Sequence, residues 1–452
     1  MKIQPRTLSG FMELLPDEQM KMERMMDVLR KSYSLYGFTP LDTPAIEASD
    51  VLLAKGGGET EKQIYRFEKG GSDLSLRFDL TVPLAKYVAL NYGSLTYPFR
   101  RYQIGKVYRG ERAQRGRFRE FYQADIDIIG DGELSIMNEA EIPSIIFTTF
   151  RNLGLSKFKI HVNNRKILNG FYEMNGMSEK ASEIMRCIDK LDKAGEEKVK
   201  AMLIDDVKMI PSKVETVLDF MSIQGSNDTV ISVLERLRGS NATFDEGLDE
   251  LKTVCDSLKA FGVNEENFTV DLRIARGLDY YTGTVYETIM DEHPEIGSVC
   301  SGGRYDNLAE YYTDKKLPGV GISIGLTRLF YVLNEQGLLS DEIITAPCDV
   351  LVIPMDEGCL EKAVESATVF RNNSIRTEIY LEKKKFKAKM TYADRIKTPF
   401  IALIGEDEIK ENIVSLKNMA SGEQVKVSCS DACGIVGRYL EENKTKFIIK
   451  EA

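Results

Sequence analysis

The sequence is poor in histidine and contains no long apolar run. Only His161 and His293 occur among the 452 residues, and neither has a motif partner, so both are predicted to be surface or packing residues. Nucleophilic catalysis by a Ser/His or Cys/His pair is therefore disfavoured. No stretch approaches the roughly 18 apolar residues of a membrane span, and no membrane partner is expected. The opening residues MKIQPRTLSG form no apolar signal core, and we expect a cytoplasmic protein.

Disulfide, zinc and P-loop signatures are also missing. Seven cysteines, an odd number scattered along the chain, disfavour a disulfide framework. The pair Cys429 and Cys433 has no histidine nearby, whereas structural zinc takes four ligands. No GxxxxGK[ST] loop occurs, and the glycine run KGGGET at 55–60 is predicted to be a turn. Any nucleotide must therefore be bound without a P-loop.

The charge is acidic overall but locally basic. The formal net charge of −10 disfavours a nucleic-acid partner, yet its distribution matters more than its total. Residues 99–120 contain eight Arg or Lys and two Glu, and five of the seven residues 383–389 are Lys. Solvated charged faces are the alternative interpretation of both patches. This alternative is stronger for the lysine run than for the arginine-rich segment.

Changes in sequence pattern divide the chain into four segments, as expected for a length too great for one core. Residues 1–163 begin with an amphipathic helix that ends near Gly37, followed by an extended segment around Pro40 and Pro44 and then by β-rich sequence. Residues 164–266 are predicted to be helical, and β character resumes over 267–340. Residues 346–452 alternate strand and helix, which predicts a separate α/β domain with a largely parallel sheet.

The segment from Arg100 to Gly130 is predicted to be a β-hairpin with one chemically active face. Period-two alternation on its second strand gives one apolar face, comprising Phe118, Tyr122, Ala124, Ile126 and Ile128. The opposite face comprises Arg117, Arg119, Phe121, Gln123, Asp125 and Asp127. Arginines beside an aromatic ring suit phosphate plus a stacked base, and carboxylates suit a cationic or hydrogen-donating substrate. A solvent-facing strand with alternating ion pairs is the alternative.

Two later segments combine arginine, glycine and tyrosine. RGLDYYTGTVYE (276–287) places an Arg and an Asp around a Gly before two Tyr, and SGGRYDNL (301–308) has a Gly-Gly pair that would allow close approach of a ligand to the backbone. These residues and the hairpin resemble class II aminoacyl-tRNA synthetases, and specifically the histidyl-tRNA synthetase family. YGFTPLDTPAIE, VYRGER…GRFREFYQADIDIIG and GVGISIGLTRLF are similar to the three class motifs, while RGLDYYTG and GGRYDNL match the two histidyl signature peptides.

The resemblance covers essentially the whole chain and implies an α+β fold. The expected catalytic core is a class II antiparallel β-sheet with flanking helices, made of residues 1–163 and 267–340. Residues 164–266 would be a helical insertion, and residues 346–452 an α/β anticodon-binding domain. The implied reaction joins L-histidine to tRNA(His) with ATP, through a histidyl-adenylate, in a homodimer. One departure is Thr327, where the family's third motif usually has Glu before its arginine.

The resemblance also implies two sets of ligand-binding residues. The residues for ATP are Arg109, Glu111, Arg117, Phe121 and Arg328. The residues for histidine are Asp79, Thr81, Gln123, Asp127, Arg276, Tyr280, Tyr281 and Tyr305. Arg276 and Arg109 would be catalytic, and Mg²⁺ would bridge the outer phosphates of ATP.

Activation is an attack of one anion on another, for which positioning and fixed positive charge suffice. Two other functions are compatible with a synthetase-like sequence. One is the regulatory subunit of ATP phosphoribosyltransferase, which binds histidine without charging tRNA. The other is a tRNA-sensing module within a kinase, although no kinase signature is present.

Overall fold

The computed structural model describes residues 2–54, 59–112, 115–274, 280–444 and 447–450. Arg276 and residues 55–58 of the predicted glycine turn lie outside these ranges. The chain forms two compact units, one of residues 1–13, 26–338 and 449–452 and the other of residues 14–25 and 339–448. Within the described ranges, every helix is too short or too polar to cross a membrane.

The first unit contains three groups of elements. Its strands are β1 (Thr39–Pro40), β2 (Ile46–Ala48), β3 (Arg66–Lys69), β4 (Ser72–Leu76), β5 (Phe99–Tyr108), β6 (Glu120–Ile129), β7 (Phe158–Asn164), β8 (Phe268–Val270), β9 (Thr284–Met290), β10 (Cys300–Tyr305) and β11 (Gly319–Ile324). The helices outside the 164–266 segment are α1 (Pro16–Leu35), which begins in the second unit, α2 (Ser49–Leu52), α3 (Glu59–Gln63), α4 (Thr81–Leu90), α5 (Met137–Leu153) and α13 (Leu326–Glu335). Those of the segment are α6 (Arg165–Met174), α7 (Ala181–Ile188), α8 (Leu191–Ala194), α9 (Glu196–Asp205), α10 (Pro211–Met221), α11 (Asn227–Glu235) and α12 (Ala242–Ala260).

An eight-stranded sheet in the order β1-β5-β6-β11-β10-β9-β7-β8 is the framework of this unit. Its pairs are antiparallel except for β1 with β5 and β7 with β8 at the two edges. The edge position of β1 fits Pro40, which has no N–H for a second neighbour. A separate three-stranded sheet has the order β2-β4-β3.

The helical segment between β7 and β8 belongs to the same compact unit as the sheet. Its first helix, α6, and its last, α12, approach closely because glycine lies at the crossing. A Cβ added at Gly170 would lie 2.4 Å from the backbone nitrogen of Phe244. The segment is therefore packed against itself at its base.

The predicted hairpin of β5 and β6 is confirmed, with Gly105 opposite Gln123 and Arg101 opposite Asp127. The apolar face is buried as expected at Ala124, Ile126 and Ile128. Two assignments before β6 are wrong because the strand begins only at Glu120, so period-two alternation does not extend to earlier residues. Phe118 lines the pocket described below, and Arg119 instead donates from Nε to the carbonyl of Glu111 at 3.1 Å.

The second unit is an α/β domain. Its strands are β12 (Val350–Pro354), β13 (Thr377–Ile379), β14 (Phe400–Ile404), β15 (Val414–Asn418) and β16 (Gln424–Val427). Its helices are α14 (Leu360–Asn372), α15 (Phe386–Arg395), α16 (Glu406–Glu411) and α17 (Cys429–Lys444). The strand order is β13-β12-β14-β15-β16. The first three strands are parallel to one another, as predicted, whereas β15 is antiparallel to both of its neighbours, β14 and β16.

The lysine run of this unit is not uniformly solvated. Lys383, Lys384, Lys385 and Lys387 are exposed. Lys389 is buried on α15, and its Nζ donates to the carbonyl of Pro354 at 2.5 Å. Four of the five lysines can therefore meet a partner from solution, while the fifth stabilises the domain.

Candidate active site

A pocket of about 400 Å³ opens over one face of the eight-stranded sheet in the first unit. Every described residue of the two predicted ligand-binding sets lines it. Those residues are Asp79, Thr81, Arg109, Glu111, Arg117, Phe121, Gln123, Asp127, Tyr280, Tyr281, Tyr305 and Arg328. The alternative of a solvent-facing strand is wrong for β6, since Gln123, Asp125 and Asp127 are all buried. Arg276 lies outside the described residues.

One end of the pocket is rich in arginine. The guanidinium of Arg109 lies 4.4 Å from the ring centre of Phe78 and 5.2 Å from that of Phe121, and its Nε donates to the Phe78 carbonyl at 3.2 Å. Burial lowers the pKa of Arg109, although an arginine keeps its charge near neutral pH. Nη1 of Arg117 lies 3.7 Å from Oε2 of Glu111. This end offers fixed positive charge beside an aromatic ring.

Arg328 reaches the same end from the first turn of α13. Its Nη1 donates to the carbonyl of Ser298 at 3.2 Å, and its Nη2 donates to the carbonyl of Ile296. Thr327, the departure from the family pattern, is buried and accepts a 2.8 Å hydrogen bond from the backbone N–H of Tyr122. Thr327 therefore fixes α13 to β6 without a carboxylate.

The opposite end is lined by carboxylates. Oδ1 of Asp127 accepts a hydrogen bond from the Tyr305 hydroxyl at 2.6 Å, and Oδ2 lies 2.7 Å from Nη2 of Arg101. Arg101 is 0% exposed and lies below the pocket, where Nη2 also donates to the carbonyl of Leu80 at 3.1 Å. Burial raises the pKa of Asp127, and Arg101 opposes this shift. Arg101 is a supporting residue that the sequence interpretation missed.

Asp79 has a second, structural role. Its Oδ1 accepts the backbone N–H groups of Thr81 and Val82 at 3.1 and 2.9 Å, the first two residues of α4. These N–H groups have no partner within the helix, and a carboxylate is favourable at the positive end of the helix dipole. Burial nevertheless raises the pKa of Asp79. The Asp79 side chain is therefore fixed at the N-terminus of α4, where one of its oxygens accepts hydrogen bonds from the helix backbone.

Tyrosines close the carboxylate end. The ring of Tyr280 lies 4.9 Å from that of Tyr281 and 5.7 Å from that of Tyr305, both in edge-to-face contact. Tyr305 is buried, and Tyr280 and Tyr281 are half-buried. Loss of contact with solvent raises the pKa of each phenol, so all three are neutral hydroxyls near pH 7. A neutral hydroxyl can both donate and accept a hydrogen bond.

A partly buried cluster of ion pairs joins the two arginine- and tyrosine-containing segments behind these tyrosines. Arg304 pairs with Glu139 of α5 at 2.7 Å and with Asp306 at 2.9 Å. Thr282 donates from its hydroxyl to Asp306 at 2.5 Å and from its backbone N–H to the Arg304 carbonyl at 2.8 Å. These contacts link residues more than 20 positions apart in the sequence and thereby fix the position of Tyr281 relative to Tyr305.

Asp125 lines the pocket but belongs to neither predicted ligand-binding set, although strand alternation places it on the same face as Gln123 and Asp127. It lies between Gln123 and Asp127 on β6. Burial raises its pKa to about 7, with Arg101 acting in the opposite direction. The signal that could identify it is the face itself, on which Phe121, Gln123 and Asp127 are all predicted to bind a ligand.

Two family models match the chain. The model of histidyl-tRNA synthetase matches residues 10–329, and that of the anticodon binding domain matches residues 349–438. The histidine–tRNA ligase of Clostridium tetani is 54% identical over 434 residues, which are 96% of this chain and 98% of that protein. That of Finegoldia magna is 47% identical over 422 residues, 93% of this chain and 97% of that protein.

The crystal structure of histidyl-tRNA synthetase from Nostoc sp. PCC 7120 is also similar. It superposes with a TM-score of 0.88 at 39% identity and covers 97% of this chain and 100% of that one. The antiparallel sheet, its helices and the separate C-terminal α/β unit agree with the predicted class II fold. The chain belongs to the histidyl-tRNA synthetase family.

Proposed function

We propose that the chain is a histidine–tRNA ligase, which converts ATP, L-histidine and tRNA(His) into AMP, diphosphate and histidyl-tRNA(His) through a histidyl-adenylate. One observation carries the proposal: a single pocket has arginines and an aromatic ring at one end and buried carboxylates with tyrosine hydroxyls at the other. The first end suits a nucleoside triphosphate, and the second suits an amino acid whose side chain has nitrogen donors and acceptors.

In the activation step, a carboxylate oxygen of histidine attacks the α-phosphorus of ATP, and the bond to the β-phosphate breaks as pyrophosphate leaves. Arg109 would hold the α-phosphate, and Phe121 would stack on the adenine ring. Glu111 would accept a hydrogen bond from the adenine amino group. Arg117 and Arg328 would bind the outer phosphates. Arg276 would be the second catalytic cation at the α-phosphate, a role that rests on the resemblance of RGLDYYTG alone. Fixed positive charge of this kind stabilises charge that develops in the transition state.

Histidine would lie along β6 between the phosphate-binding arginines and the tyrosine wall. Asp79, Thr81 and Gln123 would hold its α-amino and carboxylate groups. Asp127, Tyr281 and Tyr305 would bond the imidazole, with Tyr280 and Arg276 completing the site. The support is that the described members of this set line one pocket.

Magnesium would accompany ATP. Mg²⁺ is commonly bound through one or two protein carboxylates plus substrate phosphates. Glu287, which lines the pocket together with the arginines, offers a carboxylate of the required kind, so the donor set fits. The ion would neutralise charge on the outer phosphates.

The partner of the second step would be tRNA(His), whose terminal hydroxyl attacks the adenylate carbonyl and releases AMP. We propose the limits 1–163, 164–266, 267–340 and 346–452 for the two core parts, the helical insertion and the anticodon-binding domain. The insertion would embrace the acceptor arm, and the exposed lysines 383–387 would contact phosphates without reading sequence. The protein would act in the cytoplasm as a homodimer.

The regulatory-subunit alternative is less well supported. As a class, such subunits usually lack the C-terminal domain and degrade the signature peptides, whereas residues 349–438 match the anticodon-binding model and both peptides are intact. It remains the natural comparison for an experiment, because it too would bind histidine.

The decisive experiment is ATP–pyrophosphate exchange with each of the twenty amino acids, followed by charging of a tRNA(His) transcript. Exchange stimulated by histidine and formation of histidyl-tRNA are the expected results. Histidine binding without exchange or charging would instead support the regulatory role, and exchange with another amino acid would overturn the substrate assignment.

A further inference from the structure

The carboxylate of Asp125 is a buried acceptor that lacks a complete set of donors. The residue is 2% exposed, yet it lines the pocket. Its Oδ1 has no hydrogen-bond partner among the described residues. Leaving a buried acceptor unsatisfied is unfavourable, and native structures rarely do so away from functional sites.

The groups around Asp125 do not supply the missing donor. On β11, the Ser323 hydroxyl hydrogen-bonds the carboxylate and also accepts the amide of Gln123 at 2.8 Å. Gln103 lies opposite on β5, with its amide directed to Asp42 at 2.9 Å. The other charged or titratable neighbours are Arg101 on β5, Asp127 on β6, Cys300 on β10, Tyr33 on α1, and the pocket residues Arg109, Asp79 and Tyr281. None forms an ion pair with Asp125 in the described part of the chain.

The other two aspartates of the pocket are better matched. Asp127 has the Tyr305 hydroxyl at one oxygen and the Arg101 guanidinium 2.7 Å from the other. Asp79 has two backbone N–H groups. Among these three aspartates, Asp125 is therefore the one with a buried oxygen that has neither a hydrogen bond nor an ion pair within the described part of the chain.

The position of Asp125 indicates which part of the substrate supplies that donor. Residues two apart on a strand face the same side and lie about 7 Å apart. Asp125 thus lies one such step beyond Gln123, at which the α-amino and carboxylate groups would be held, and one step before Asp127. An imidazole attached through one CH₂ group extends over this interval. Its ring carries an N–H as well as an acceptor nitrogen.

We propose that Asp125 is a further histidine-binding residue, whose free Oδ1 accepts the imidazole N–H and selects histidine against ring amino acids of similar shape that lack this donor. The proposal rests on the proposed function, because it assumes that histidine is the amino acid bound in this pocket. Selection against a missing donor is strong when the acceptor is buried, since the mismatched ligand leaves that acceptor unpaired.

The test compares L-histidine with β-(4-thiazolyl)-L-alanine, whose ring retains a nitrogen acceptor but has no N–H. Dissociation constants are measured by calorimetry on the full-length protein for the wild type, Asp125→Asn and Asp125→Ala. Asp131→Asn is the matched control, since Asp131 follows β6 but is exposed and bonds Tyr92 at 2.8 Å. ATP affinity and melting temperature report on folding, and the near-isosteric Asn variant covers the case in which Ala does not fold.

The wild type and Asp131→Asn should bind histidine more tightly than the thiazole analogue. Asp125→Ala should weaken histidine binding about 10- to 100-fold and the analogue much less, so that selectivity falls. Asp125→Asn, whose amide can donate to the thiazole nitrogen, should shift selectivity further towards the analogue. Equal weakening of both ligands, or unchanged selectivity in a folded variant, would overturn the role of Asp125. Failure of the wild type to bind histidine would instead overturn the proposed function.

Discussion

The Tyr305 hydroxyl and the Asp127 carboxylate meet at 2.6 Å although an entire strand, β11, lies between β10 and β6. Glycine makes this contact possible. Gly319 pairs with Tyr305 and Gly321 pairs with Asp127, so β11 has no side chain beneath the bond. A Cβ added at Gly321 would lie 2.3 Å from Oδ1 of Asp127, and one at Gly319 would lie 2.4 Å from the Tyr305 ring.

Gly321→Ala should raise the KM for histidine by about tenfold or more while the KM for ATP changes little. The added methyl group would displace Asp127 and break its bond to Tyr305, and loss of such a bond costs roughly 1–3 kcal/mol. The KM values are obtained from ATP–pyrophosphate exchange. Gly93→Ala is the control, because a Cβ there would meet no atom within 4 Å. An unchanged histidine KM in Gly321→Ala would remove this contact from substrate recognition.

Asp127→Ala should destabilise the protein as well as impair histidine binding. It leaves the guanidinium of Arg101, which is 0% exposed, without its carboxylate, and breaking a buried pair from one side costs about 3–5 kcal/mol. Thermal unfolding should show a large fall in melting temperature. The double variant Arg101→Met/Asp127→Ala should recover part of that stability but none of the histidine affinity. Equal stability of the single and double variants would show that the pair is not energetically coupled.

Arg109→Ala should lower the kcat of histidine-dependent exchange by about 10²–10³, as expected when one preorganised donor to a developing charge is lost. Arg109→Lys should recover only part of this activity, since an ammonium cannot reproduce the planar contacts with Phe78 and Phe121. Arg66→Ala removes an exposed guanidinium that pairs with Asp73 and should leave kcat unchanged. A purely structural Arg109 would show a lower melting temperature with near-normal turnover.

Replacing Lys384, Lys385 and Lys387 together by Ala should reduce tRNA charging while exchange stays near the wild-type rate. Each lysine that contacts a phosphate adds to the salt dependence of binding, so the slope of log K against log salt should become shallower. Lys389→Ala should instead lower the melting temperature, because its ammonium is bonded to the Pro354 carbonyl inside the domain. Unaltered charging in the triple variant would make these lysines a solvated face only.

Asp125→Asn should stabilise the ligand-free protein at alkaline pH. Burial raises the pKa of Asp125 to about 7 from the usual value of about 3.9. A carboxyl group with a raised folded-state pKa contributes stability below its unfolded pKa and loses it as the pH rises through the folded pKa. The free energy of unfolding of Asp125→Asn should therefore exceed that of the wild type by an amount that grows between about pH 4 and 7. Above pH 7 this difference should level off at on the order of 4 kcal/mol. Chemical denaturation of both proteins at several pH values measures this difference. A difference in the free energy of unfolding that does not change with pH would contradict the prediction.

Much of the site could be predicted from the sequence because its chemistry follows strand alternation. Gln123, Asp125 and Asp127 share a face by period two, and the signature peptides identify the tyrosines that complete it. The pairing of Arg101 with Asp127 could not be predicted in this way, because it depends on the register of the hairpin. That register is set by the connection between β5 and β6, in which alternation stops.

The remaining differences come from burial that composition does not reveal. Lys389 has the same side chain as its exposed neighbours, yet its position on α15 turns it inward against β12. Likewise, Thr327 preserves a strand-to-helix connection through a hydroxyl where a carboxylate was expected. β15 and β16 add antiparallel neighbours to the predicted parallel strands. Both are short strands of mixed polarity, and such strands give a weak sequence pattern.

The capping of α4 by Asp79 links substrate choice to the integrity of the fold. The carboxylate proposed to hold the α-amino group also satisfies two N–H groups at the beginning of a half-buried helix. If Asp79 were replaced so that the pocket accepts a substrate without an amino group, the N-terminus of α4 would therefore lose its cap and fray. Redesign of this pocket must supply a new cap, such as Ser or Asn at position 79, before changes in specificity can be interpreted.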